Sequence, residues 1–134
     1  MKVLTVGVFD YFHYGHLKLF QQAKSIADDA YLIVAVQESD FIKKTKPDTD
    51  IFYDTDVRMD LVGALRIVDK VVTYTNVDEI VKNVDFDIFA VGEDQNHAGF
   101  QAAIAWCQNN GKRVVRMHRT PNISSTRIKQ ELKK

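Results

Sequence analysis

Apolar residues recur along this chain in two alternating patterns. Short runs rich in Val, Ile, Leu, Phe and Ala, most continuous at 31–36 and 86–91, cover residues 2–7, 31–36, 70–73, 86–91 and 113–117. Runs this continuous suit strands buried on both faces, as in a parallel sheet. Between them the spacing widens to three and four residues, as at Leu17, Phe20, Ala23 and Ala27. That spacing predicts helices over 15–27, 56–66, 77–83, 98–109 and 124–133. Strand and helix alternate throughout, which predicts an α/β fold over residues 1–134: one domain with a five-stranded parallel sheet and helices on both faces. Residues 42–55 are the longest stretch without a clear period. They predict a loop, and long loops in compact domains often act as lids.

The strand assignment restricts where chemistry can sit. In open parallel sheets of this Rossmann-like kind, ligands bind outside the carboxyl ends of the strands. Residues that come after strands therefore matter most: Gly7–His16, Gly92–Asp94 and His118–Ser125 come to one rim. Composition narrows the partners. The 134 residues carry 18 basic and 18 acidic side chains. No net field points to nucleic acid or to a membrane surface. The first residues reach glycine too soon for a secretory leader, and no apolar run approaches a membrane span. Cys107 is the single cysteine, so no intrachain disulfide forms. A cytoplasmic location is expected, with no nucleic-acid partner and no membrane partner.

The densest chemistry comes after the first strand. Gly7, Val8, Phe9 and Asp10 lead into His13, Tyr14, Gly15 and His16, and then into the first helical pattern. A helix start offers unpaired N–H groups and a partial positive charge. Gly15 admits close backbone approach, and histidines three apart share a helix face. The combination suits a phosphate chain, although two such histidines also suit a partial metal site or a solvated surface. Near the other end, Arg119 and Thr120 precede Ile123, Ser124, Ser125 and Thr126 at a predicted helix start. One hydroxyl suffices for a cap. Three in a row beside an arginine favour phosphate binding.

The segment from Gly7 to His16 resembles the HxGH signature of the nucleotidyltransferase superfamily. Within it, the chain is most similar to the small cytidylyltransferases of the glycerol-3-phosphate cytidylyltransferase type. Residues 119–128 resemble their RTxGIS(S/T)T segment, residues 66–71 their RYVDxV segment, and residues 90–94 their MGxDW segment. Arg58 matches the arginine that opens the helix before RYVDxV. The matches occur in family order. Gln95 stands where the family has tryptophan, Asn122 where it has glycine, and Pro121 where it has an acidic residue.

The resemblance implies transfer of CMP from CTP to a small phosphorylated alcohol, glycerol 3-phosphate first in line, with release of pyrophosphate. Adenylyl transfer to a phosphorylated cofactor precursor or sugar is an alternative, and a non-catalytic nucleotide-binding protein is another. On this reading His13, His16, Lys46 and Arg119 are catalytic. Nucleotide contacts fall to Gly7, Val8, Phe9, Asp10, His16, Lys44, Gly92, Asp94, Arg119, Thr120, Ile123, Ser124 and Ser125. The acceptor would meet Arg58, Arg66, Asp69 and His97. Mg²⁺ is the implied cofactor, held mainly by the triphosphate rather than by protein ligands. A homodimer is implied as well.

Overall fold

The computed structural model of the chain describes residues 1–121 and 123–133. Its strands are β1 (Lys2–Gly7), β2 (Tyr31–Gln37), β3 (Lys70–Tyr74), β4 (Ile88–Gly92) and β5 (Arg113–Met117). They form one sheet in the order β3-β2-β1-β4-β5, and every pairing is parallel. The helices are α1 (Tyr14–Lys24), α2 (Ser39–Thr45), α3 (Thr55–Gly63), α4 (Val77–Asn83), α5 (Ala98–Asn109) and α6 (Ser125–Leu132). The α/β architecture, the strand count and the two-sided packing agree with the sequence reading. Among the described residues no helix is long and apolar enough to cross a membrane.

Each strand feeds two cores because its side chains alternate. On one face, Leu4 and Val6 of β1 meet Val77 and Val81 of α4 and Phe100, Ala103 and Cys107 of α5. On the other, Val3 meets Phe20 and Ala23 of α1 and Val62 of α3. Burying Phe20, Val62 or Phe86 completely stabilises the fold by roughly 1.5–3 kcal/mol each.

Strand order reverses between β1 and β4, and the ladder opens there. β1 pairs with β2 over six residues, Lys2 to Gly7, but with β4 only at Val3 and Leu4. Beyond Leu4 the two strands splay. The crevice is the usual ligand position in such sheets.

Two of the boundaries that differ from expectation bear on the site. Residues 39–45, half inside the expected loop, are α2, whose Ser39 and Ile42 are buried. The segment after it is tied down by the side chains of Asp10 and Lys129. The helix expected over 56–66 ends at Gly63, so Arg66 lies beyond it.

Candidate active site

After β1 the chain turns through two left-handed residues, Phe9 at φ 56° and Tyr11 at φ 48°. Such non-glycine conformations cost about 1–3 kcal/mol each and need external support. Phe9 is held under the site, its ring edge-on to His16 and to Phe20 at 5.3 and 5.1 Å. Tyr11 stacks on Phe52 at 5.0 Å. Between them Asp10 is 2% exposed. Its Oδ2 accepts from Phe52 N at 2.8 Å and its Oδ1 from Tyr53 N at 3.0 Å. Lys129 of α6 pairs with Oδ2 at 3.1 Å and also donates to the Asp50 carbonyl. Burial alone would raise the Asp10 carboxyl. The two N–H groups and the ammonium outweigh it and hold the group below its ordinary value. Both oxygens of Asp10 are thus engaged within the protein, in a clasp that joins the β1 loop, residues 50–53 and α6.

The turn delivers His13 to the start of α1. His13 caps the helix: its Nδ1 accepts from Gly15 N at 3.0 Å, while His16 Nδ1 accepts from His13 N at 3.2 Å. This reciprocal arrangement is a capping box built from two imidazoles. The rings stack at 3.8 Å with 18° between planes. Gly15 is required by the cap itself, since a Cβ there would lie 2.8 Å from His13 Cε1. Burial, and then the neighbouring His13, push His16 down to about 3. Burial and then Arg119 lower His13. Both rings are therefore neutral at neutral pH. With each Nδ1 accepting a backbone N–H, the proton resides on Nε2, and each ring presents one N–H donor outward.

Opposite them stands the start of α6. Ser124 is its N-cap, its Oγ accepting from Arg127 N at 3.0 Å. Ser125 Oγ donates to the Asp10 carbonyl at 2.6 Å. Arg119 is half exposed; its Nη1 lies 3.2 Å from Asp94 Oδ2 and its backbone N–H donates to Glu93.

Two adjoining cavities open between these walls, of about 320 and 250 Å³. Gly7, Val8, Phe9, Asp10, His16, Gly92, Asp94, Arg119 and Ser125 line the first. His13, His16, Thr120, Ile123 and Ser124 line the second, again with Asp94, Arg119 and Ser125. A third cavity of about 420 Å³ lies across the crevice, lined by Val8, Lys46 and His97 among others. Asn122 lies outside the described residues.

Four expected site residues stand elsewhere. Lys44 is exposed on α2 and lines none of these cavities. Arg58 is fully buried. Its Nε donates to Tyr53 O, its Nη1 to Val8 O and Gln37 O, and its Nη2 to Ser39 Oγ, at 2.7–2.9 Å. It clamps the ends of β1 and β2 to the start of α2 instead of facing an acceptor. Asp69 accepts from Leu32 N and pairs with Lys24. It precedes β3, so it lies with Arg66 at the amino rim of the sheet, the end opposite the cavities.

Two contributors were not anticipated. Lys129 lies four residues after Ser125, on the same helix face, and that spacing was the signal available. Gln95 bridges the crevice: its Oε1 accepts from Gly92 N and its Nε2 donates to Val6 O, both at 2.9 Å. It replaces the missing β1–β4 ladder with a side chain. Among the described residues no group of three or more His, Cys, Asp or Glu is arranged to hold a metal ion.

The model of the cytidylyltransferase-like family matches residues 4–131. The chain belongs to this family. Its type of enzyme is a nucleotidyltransferase. The glycerol-3-phosphate cytidylyltransferase of Staphylococcus aureus is 34% identical, over 98% of this chain and 94% of its own length. The FAD synthase of Thermococcus kodakarensis is 38% identical over 71% of this chain and 64% of its own length. A lipopolysaccharide core biosynthesis protein from Thermoplasma volcanium superposes with a TM-score of 0.71 at 23% identity, covering 90% of this chain and 96% of its own. That likeness concerns the fold of this cytidylyltransferase-like chain.

Proposed function

We propose that the protein transfers CMP from CTP to a small phosphorylated alcohol, with glycerol 3-phosphate the first candidate. An oxygen of the acceptor phosphate attacks the α-phosphorus. The bond from that phosphorus to the bridging oxygen of the β-phosphate breaks, and pyrophosphate leaves. The observation that carries this reading is the pair of stacked imidazoles that line one cavity, each with its Nδ1 engaged by a backbone N–H and its Nε2 left over as the donor. Fixed donors aimed at the α-phosphoryl oxygens need no rearrangement as charge develops on them, and each is worth about 10²–10³ in rate. The start of α1 adds its partial positive charge. Arg119 exchanges Asp94 for a phosphate oxygen, and Ser124 has its hydroxyl proton to donate. Lys46 approaches the acceptor phosphate from the third cavity.

Mg²⁺ fits this chain as a passenger of the triphosphate. The buried Asp10 spends its oxygens on Phe52, Tyr53 and Lys129, and Asp94 faces Arg119, so no all-protein cage exists among the described residues. Mg²⁺ commonly keeps waters and phosphate oxygens as ligands, and it would supply charge neutralisation.

The cytidylyl reading is supported by relatives aligned over nearly the whole chain. Adenylyl transfer is supported by the FAD synthases, over a shorter span. Pyrophosphate release, measured for CTP, ATP, GTP and UTP against glycerol 3-phosphate, other three- to five-carbon alcohol phosphates and FMN, decides between them. We expect the highest kcat/KM for CTP with glycerol 3-phosphate. Turnover confined to ATP with FMN would replace the cytidylyl reading.

A further inference from the structure

The third cavity shares Gly7, Val8, Asp94 and Gln95 with the first, so these residues form a partition at the splayed end of β1 and β4. An acceptor that enters through the third cavity brings its phosphate across this partition towards His16, with the rest of its body left in the third cavity. Two donors wait there. Tyr74, the last residue of β3, is 6% exposed and lines the cavity. Its hydroxyl bonds to no described residue, and no sealed side-chain oxygen in the described chain lacks a partner. The oxygen is therefore reached by solvent, in a residue that lines this cavity. Burial pushes the phenol up, with Arg58 opposing, so it remains a neutral donor. His97 caps α5, its Nδ1 accepting from Gly99 N at 3.1 Å. In the neutral ring that bond leaves Nε2–H as the free donor on the cavity wall.

We propose that Tyr74, seconded by His97, sets acceptor specificity by holding a hydroxyl of the acceptor, separate from the phosphate that reacts. The inference rests on the phosphoalcohol reading of the activity. β2 lies between β3 and β1, so Tyr74 stands about two strand spacings, roughly 10 Å, from the partition. It meets the body of the acceptor, not the attacking phosphate. An apolar body there would cover a phenol without giving it a partner, and sites built around such a group discriminate strongly against analogues that lack the matching hydroxyl.

The test compares glycerol 3-phosphate with propyl phosphate, which has the same phosphate and carbon count but no hydroxyl, using CTP and steady-state pyrophosphate release. Wild type should favour glycerol 3-phosphate by about 10²-fold or more in kcat/KM. Tyr74→Phe should shrink that preference at least about tenfold, through glycerol 3-phosphate alone, with the KM for CTP and the melting temperature unchanged. His97→Asn keeps a capping acceptor, loses the Nε2–H, and should shrink the preference less; because His97 is exposed, it serves as the test should Tyr74→Phe fail to fold. If both variants keep the wild-type preference, or if wild type treats the two acceptors alike, the specificity assignment falls and the activity stands. If wild type turns over neither phosphate with any triphosphate, the proposed activity falls and takes this assignment with it.

Discussion

Helices α1 and α5 open on the same three-residue device. His13 and His97 each accept from the glycine two residues later, at 3.0 and 3.1 Å, and each glycine would drive a Cβ to 2.8 or 2.9 Å from its own capping ring. Their surroundings differ. His13 is stacked on His16, which returns a bond to the His13 backbone, and the pair sits against Arg119 and α6. His97 is exposed and meets the Phe100 ring edge at 4.6 Å. One cap is enclosed from several sides and the other faces solvent. The local motif gives both helices a satisfied start. The burial around it decides how firmly the imidazole is held.

The largest effect should come from removing the element that only α1 has. His16→Ala should leave the fold in place and lower kcat by about 10²–10³ with little change in nucleotide affinity, because a donor acting mainly in the transition state is lost. Single-turnover rates and nucleotide binding measured side by side check this; a rate within a few-fold of wild type removes His16 from the chemistry.

A smaller effect tests what holds the α1 loop rigid. Asp10→Asn leaves the Lys129 ammonium, 18% exposed, without its counter-charge and places an amide donor near the backbone donors of residues 52 and 53. The Lys129 ammonium still reaches water, so losing this charged hydrogen bond costs about 1.5–3 kcal/mol. Denaturant unfolding should show that loss, and hydrogen exchange should quicken across residues 46–54. Unchanged stability would mean the clasp contributes nothing.

The smallest effect contrasts the glycines directly. Gly15→Ala must displace a half-buried, stacked His13, so activity should fall at least about tenfold through loss of an aligned donor. Gly99→Ala only turns an exposed His97 outward, and the lost cap of about 1 kcal/mol is offset by a similar gain in helix propensity. Its melting temperature should stay near wild type, and its turnover should fall less than that of Gly15→Ala. Equal behaviour of the two variants would erase the distinction between the caps.

The sheet was legible because its strands are near-continuous apolar runs, and the rim was legible because residues after parallel strands share one end. That same rule could have excluded Asp69 and Arg66. They precede β3, so they belong to the amino rim, whatever motif they resemble. Arg58 was misread for another reason: sequence shows a cation on a helix but not that three carbonyls and a serine converge on it. α2 was hidden because only Phe41 and Ile42 interrupt its polar residues, too few to show a period, and its buried Ser39 is fixed by partners distant in the chain. Gln95 stood out only as a departure from the family's tryptophan. Its two bonds across the crevice depend on the gap between β1 and β4, which no local pattern reports.

Arg58 also bears on how the chain avoids mispairing. β1 and β2 are apolar on both faces, so sliding one against the other by a residue would still bury hydrophobic side chains, and alternation cannot select the alignment. The guanidinium can. It leaves water only if Val8 O from the end of β1 and Gln37 O from the end of β2 arrive together, with Tyr53 O closing the third side. A slipped pairing would carry one of those carbonyls about 3.3 Å out of reach and strand a cation in the interior. A single arginine thus makes the native alignment of two interchangeable strands the one in which a charge can be buried.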